Sequence, residues 1–256
     1  MYWFIFLSRN ILLQEKEGTL CLPQGEEAPV ELQPWTQVLA LPELDGQPCR
    51  AFELNAPPKE GLPAGMKTVE LRSTFPLLPA EHYRMAGKAA ELIYWDQNTR
   101  YCGYCGAPTA MQTAISKRCT QCGKEIWPTV SPAIIVRITR NDQVLLVHAR
   151  NFRRADYFGL VAGFLETGET LEACVRREVM EETGLTIRNL RYFGSQPWPF
   201  PSGIMVGFTA EWESGELRLQ QEELSKGGWY SRDNLPHIPD KSSIARRLID
   251  DWLLEG

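Results

Sequence analysis

The residues best suited to chemistry lie in one stretch, GFLETGETLEACVRREVMEETGL, residues 163–185. On a helix, positions three and four apart share a face. Leu171, Cys174 and Val175 begin an apolar stripe that should continue at 178 and at 181 or 182, and those positions hold Glu178, Glu181 and Glu182. Acids thus occupy slots where the pattern asks for core residues. Carboxylates this close repel one another unless a cation sits among them. Mg²⁺ or Mn²⁺, hard ions that prefer oxygen ligands, would answer that need. The plainer alternative is a solvated acidic face stitched by Arg176 and Arg177 to nearby glutamates. The inward position of the acids and the Gly-rich segment before the helix favour the metal site.

A second cluster has different chemistry. Cys102 and Cys105, then Cys119 and Cys122, form two C-x-x-C pairs separated by thirteen residues. Each short turn points two sulfurs inward, and four thiolates close a tetrahedral shell. That implies a structural Zn²⁺ rather than a catalytic one. A redox motif would use one pair and leave the other unexplained. Seven cysteines, an odd count, with no secretion signal also speak against a disulfide framework. Arg100, Lys117, Arg118 and Lys124 make this segment locally basic. A nucleic-acid contact is therefore one reading, and a clip between two domains is the favoured one.

A third segment, Ser195-Gln196-Pro197-Trp198-Pro199-Phe200-Pro201-Ser202, reads as a proline-fixed loop. It would present Gln196, Trp198 and Phe200 to a flat heteroaromatic ligand with little entropy to lose. Taken alone, an aromatic-proline corner of the core explains it equally well.

These segments need a scaffold, and 256 residues with 43% hydrophobic content can bury a substantial core. Composition separates three regions: a Pro-rich 1–98, the cysteine cluster at 99–126, and 127–256. In the first, 2–7, 19–22 and 50–54 read as strands and 80–95 as a helix. In the last, 133–138 and 144–147 are strands joined by an Arg140-Asn141-Asp142 turn. A loop over 159–168 then leads into a helix over 171–183 closed by Gly184. Strands at 190–193 and 204–210 follow, and an amphipathic helix spans 244–254. No internal repeat is visible. This order predicts an α/β sandwich preceded by the cysteine ribbon and a small α+β domain. The apolar N-terminus is too short to span a bilayer, and lacks a basic leader, so a soluble, cytoplasmic protein without a membrane partner is predicted. A net charge of −5 disfavours a protein that coats nucleic acid.

The 163–185 stretch resembles the Nudix box. Gly163, Glu169, Arg177, Glu178, Val179, Glu181, Glu182, Gly184 and Leu185 fill its nine spaced positions without a mismatch. The resemblance implies a Nudix α/β/α sandwich that hydrolyses a nucleoside diphosphate linked to another group. Divalent ions would be held by Glu178, Glu182 and the Ala162 carbonyl, with Arg177 orienting Glu169. They would neutralise the diphosphate and acidify a water for in-line attack at phosphorus. The base varies in the superfamily, and Glu181 is the residue expected to serve as base.

With the four-cysteine knuckle ahead and the SQPWPFPS segment behind, the chain from about Tyr101 onward resembles the bacterial NADH pyrophosphatases. That resemblance implies cleavage of NAD(H) to nicotinamide mononucleotide and AMP, removal of NAD caps from RNA, and a homodimer. By motif position it adds Trp127, Phe164, Ala245 and residues 195–202 as substrate contacts and Glu223 as a metal ligand, with Glu222 its neighbour. Trp127 stands where the family usually has Tyr, so a hydroxyl contact is lost there. Two other readings remain: a Nudix enzyme for another dinucleotide such as ADP-ribose, and a zinc-ribbon nucleic-acid-binding protein with an inactive Nudix fold.

Overall fold

The computed structural model describes residues 1–152 and 154–255. Two compact units form, one from residues 1–129 with 199–202 and the other from 130–198 with 203–256.

In the second unit, β10 (Ser131–Arg140) is the central strand. It forms a hairpin with β11 (Gln143–Ala149), with Asn141 in the left-handed region (φ 54°) that the tight turn requires. It also runs parallel to β14 (Gly203–Ser214) and antiparallel to β12 (Val161–Phe164). The outer strands are β13 (Thr186–Trp198) on β14 and β15 (Leu224–Ser231) on β11. Side chains alternate between two cores. Ile134, Val136, Leu145 and Val147 pack with Cys174, Val175 and Val179 of α2 (Leu171–Thr183). Ile135, Val144 and Leu146 pack with Leu248, Ile249 and Trp252 of α3 (Ile244–Leu254). Burial on both faces is why β10 and β11 read as unbroken apolar runs. The result is the α/β/α sandwich predicted above.

Two segments differ from the sequence reading. The 159–168 stretch is not all loop, because β12 occupies four of its residues. Residues 195–198 belong to β13, and only 199–202 turn. Pro197 is tolerated in the strand because β13 lies at the sheet edge.

The first unit has a six-stranded sheet. It comprises β1 (Tyr2–Leu7), β2 (Asn10–Lys16), β3 (Thr19–Cys21), β4 (Leu39–Leu44), β5 (Gln47–Leu54) and β6 (Met66–Glu70). Tyr2, Phe4 and Phe6 face α1 (Ala80–Asn98), while Trp3 and Ile5 face a smaller core closed by Val30. The strand path β4-β5-β1-β2-β6 repeats β13-β14-β10-β11-β15, including the one parallel pair, β1 with β5. The internal repeat missed in the sequence is therefore topological. Residues 22–38, where the copy would carry an equivalent of α2, contain no helix.

The cysteine ribbon, also in the first unit, is a three-stranded sheet of β7 (Thr109–Thr113), β8 (Ser116–Cys119) and β9 (Glu125–Ile126). Lys117 is buried rather than part of a basic surface. Its Nζ pairs with Asp96 Oδ1 at 2.8 Å and donates to the Asp96 carbonyl at 2.8 Å. Among the described residues, no helix is long and apolar enough to cross a membrane.

Candidate active site

Thr170 accepts a hydrogen bond from the Ala173 N–H (3.2 Å) and starts α2, and Gly184 ends it in the left-handed region (φ 69°). Between these caps the helix buries Cys174, Val175, Val179, Glu182 and Thr183. The stripe therefore leaves the helix through 179 and 182. Glu181, expected to face inward, is instead exposed, with 53% of its side chain accessible.

Arg177 organises the remaining acids. Its Nε and Nη2 grip Glu169 at 2.6 and 3.0 Å in a two-pronged pair. Its Nη1 donates to Glu178 at 2.9 Å and Glu181 at 3.0 Å, and Nη2 also reaches the Phe164 carbonyl at 3.0 Å. That guanidinium holds the Glu169 carboxyl down at about 2. Glu178 feels the opposite pull: burial pushes its carboxyl up despite Arg177. Gly163 on β12 lies against it, and a Cβ there would fall inside the Glu178 carboxylate.

Glu182 is the outlier. It is 4% exposed, and its Oε2 has no hydrogen-bond partner. Burial, then the charges of Glu178, Glu223 and Glu181, push it up to about 8. A buried acid without a donor is costly unless something positive arrives. It lines a cleft of about 360 Å³ together with Ala162, Glu222 and Glu223. Of the two neighbouring acids, Glu223 is the one whose charge acts on both Glu178 and Glu182. The buried, unpartnered oxygen, with Glu223 and Ala162 in the same lining, fits a divalent cation. Arg150 and Asn151 line the same cleft and were not singled out from the sequence. Their only signal was a polar pair just past an apolar strand.

The expected aromatic and proline contacts fall in both units. In the second, Phe164 at the end of β12 is 67% exposed, and Ala245 sits partly buried on α3. Ser195, Gln196, Pro197 and Trp198 run along β13, where the Ser195 carbonyl accepts from Arg247 at 3.4 Å. Gln196 spends its amide on α3: Nε2 donates to the Ser242 carbonyl (2.8 Å) and Oε1 accepts from the Ile244 N–H (2.6 Å). In the first unit Trp127 is 51% exposed. The turn from Pro199 through Pro201 to Ser202 packs there too, with Phe200 against the α1 core and the Arg72 guanidinium 4.6 Å from its ring. Gly87 permits the approach, since a Cβ on it would lie 3.2 Å from Pro199. Ser202 donates to the Thr129 carbonyl at 2.8 Å.

At the ribbon, the Sγ atoms of Cys102, Cys105, Cys119 and Cys122 lie within 4.8 Å of one another. The N–H groups of Cys122 and Gln121 point at Cys119 Sγ from 3.4 and 3.5 Å and lower its thiol to about 6. The geometry and the ready thiolate fit a structural Zn²⁺. Among the described residues, no other group of His, Cys, Asp or Glu is so gathered.

Comparison with known proteins agrees with these features. Residues 129–252 match the family described as NUDIX domain, 1–95 the NADH pyrophosphatase-like rudimentary NUDIX domain, and 97–126 the NADH pyrophosphatase zinc ribbon domain. The chain is 37% identical over 257 residues to the NAD-capped RNA hydrolase NudC of Yersinia pseudotuberculosis, covering 99% of this chain and 92% of that one. It is 43% identical over 211 residues to the protein of that name from Pseudomonas aeruginosa, covering 81% and 74%. A NUDIX hydrolase from Nitrosomonas europaea shares the fold at TM-score 0.50 and 18% identity, over 61% of this chain and 92% of that one.

Proposed function

We propose, since the chain belongs to the NADH pyrophosphatase and NAD-capped RNA hydrolase family of Nudix hydrolases, that it cuts the diphosphate of NAD(H). The products are nicotinamide mononucleotide and AMP, and NAD-capped RNA is cut at the same bond. The observation that carries this reading is the buried, unpartnered Glu182 oxygen in a cleft shared with Glu223 and Ala162.

Glu178, Glu182, Glu223 and the Ala162 carbonyl are the proposed holders of Mg²⁺ or Mn²⁺. When bound, these ions neutralise the diphosphate and acidify water. Arg177 keeps Glu169 ionised and pins the side chain of Glu178 between turns of contact. Glu181, exposed and tethered by Arg177, is the proposed acceptor of the proton of the attacking water. The proposed substrate contacts are Phe164, residues 195–198 and Ala245 in the second unit, and Trp127 and residues 199–202 in the first, with the exposed rings of Trp127 and Phe164 suited to stacking on a flat base. In this division residues 1–98, 99–126 and 127–256 serve as the rudimentary domain, the zinc ribbon and the hydrolase domain. A cytoplasmic homodimer completes the reading.

The test uses purified protein and Glu178→Gln with NADH, ADP-ribose and NAD-capped RNA, each with Mg²⁺ or Mn²⁺, and identifies products. The wild type should release nicotinamide mononucleotide and AMP. The variant should lose about 100-fold or more, as a lost metal ligand is worth several kcal/mol, with zinc content unchanged. Intact NADH after incubation with the folded wild type overturns the reading, and preference for ADP-ribose redirects it.

A further inference from the structure

We infer that Arg150 grips the diphosphate in this cleft, as the anion-binding partner of the acid cluster; the inference rests on the dinucleotide-hydrolase reading above. The β11–β15 ladder pairs regularly from Gln143 with Ser231 to His148 with Lys226, then shifts so that Ala149 faces Leu224. Ser225 is the extra residue. A bulge of this kind re-aims the side chains that follow it. Here it sets Arg150 beside Glu223, whose carbonyl accepts the Arg150 N–H at 2.8 Å. Both residues then line the cleft with Glu182 and Ala162.

The guanidinium is anchored but not neutralised. Its Nε donates to the Gln221 carbonyl. Among the described residues it makes no ion pair, although Glu182, Glu222 and Glu223 line the same cleft. Arg177 shows the contrast, with all its charge spent on Glu169, Glu178 and Glu181. One arginine therefore orders the acids. The other is held by a neutral carbonyl, and its terminal nitrogens are left for an anion that the protein does not supply. A guanidinium fork matches two non-bridging phosphate oxygens and keeps its charge at any working pH. The same contact would strengthen as charge builds on the departing phosphate.

A merely structural Arg150 would instead fix the 220–224 turn and act through Glu223. Arg150→Met and Arg150→Lys separate the two roles. Three quantities are measured: affinity for imidodiphosphate with Mg²⁺ by calorimetry, kcat and KM for NADH, and Mn²⁺ affinity by electron paramagnetic resonance. Arg150→Met should bind imidodiphosphate about tenfold or more weakly and lose a similar factor in kcat/KM, as expected for a lost charged hydrogen bond. Mn²⁺ affinity should stay within about twofold, and Arg150→Lys should fall between. Unchanged imidodiphosphate binding overturns the inference, as does a loss of Mn²⁺ affinity as large as the loss of anion binding. A wild type that binds imidodiphosphate through Arg150 yet leaves NADH intact would refute the substrate assignment alone.

Discussion

Gly163 and Glu178 share one volume: the space a Cβ on the glycine would fill is taken by the glutamate's carboxylate. Gly163 has no positive φ, so backbone freedom is not what it supplies. Its contribution is room.

Gly163→Ala should therefore separate folding from activity. The obstructed atoms are the tip of a flexible side chain, so Glu178 can swing away at a cost of about 1–3 kcal/mol or less. The displaced carboxylate leaves Arg177. Hydrolysis should drop about as far as in Glu178→Gln, while the thermal midpoint moves by only a few degrees. A fully active Gly163→Ala protein would disprove the placement.

Glu182 makes stability depend on pH in a defined direction. Its folded value, about 8, lies above the ordinary carboxylate range. Between roughly pH 4.3 and 8 the folded chain keeps a proton that the unfolded chain releases. Stability should thus fall as pH rises through this window, with a slope approaching about 1.4 kcal/mol per pH unit in buffer free of Mg²⁺ and Mn²⁺. Glu178 adds in the same direction. Urea midpoints across the window should flatten in Glu182→Gln, and added Mn²⁺ should stabilise the wild type more at pH 8 than at pH 5. Identical slopes in both proteins would contradict the burial argument.

Gln196 bonds both ends of its amide to the start of α3. Gln196→Ala should cost about 1–3 kcal/mol for two lost hydrogen bonds, read as a lower denaturation midpoint, and should raise KM for NADH through the lost proposed contact and the shifted Ala245. An unchanged midpoint would contradict the role of the amide at α3, and an unchanged KM would remove Gln196 from the proposed substrate contacts.

Lys117 ties the ribbon to α1 through Asp96, and its side chain is 3% exposed. Lys117→Met leaves Asp96 buried without a partner, so a loss of about 3–5 kcal/mol is expected. The double variant with Asp96→Asn should recover part of it. Faster zinc release to a chromogenic chelator would show that the clip steadies the metal shell.

The sequence by itself determined the elements whose signals are local. The α2 and α3 spans follow from periodicity and caps, β1 and β10–β11 from apolar runs, and the cysteine pairs and acid spacing are written in consecutive residues. Tertiary structure decided what depends on partners distant in the chain. Whether Glu181 or Glu182 turns inward is fixed by the sheet beneath α2, because positions 181 and 182 fit the same helical stripe almost equally well. Pro197 could join a strand only because that strand proved to be an edge. Arg150 meets Glu223, 73 positions further on, beside a bulge between β11 and β15, and the repeated strand path lies in pairing alone. Hydrogen-bond ladders and buried charge have no period in sequence, so they become visible only when the chain has closed on itself.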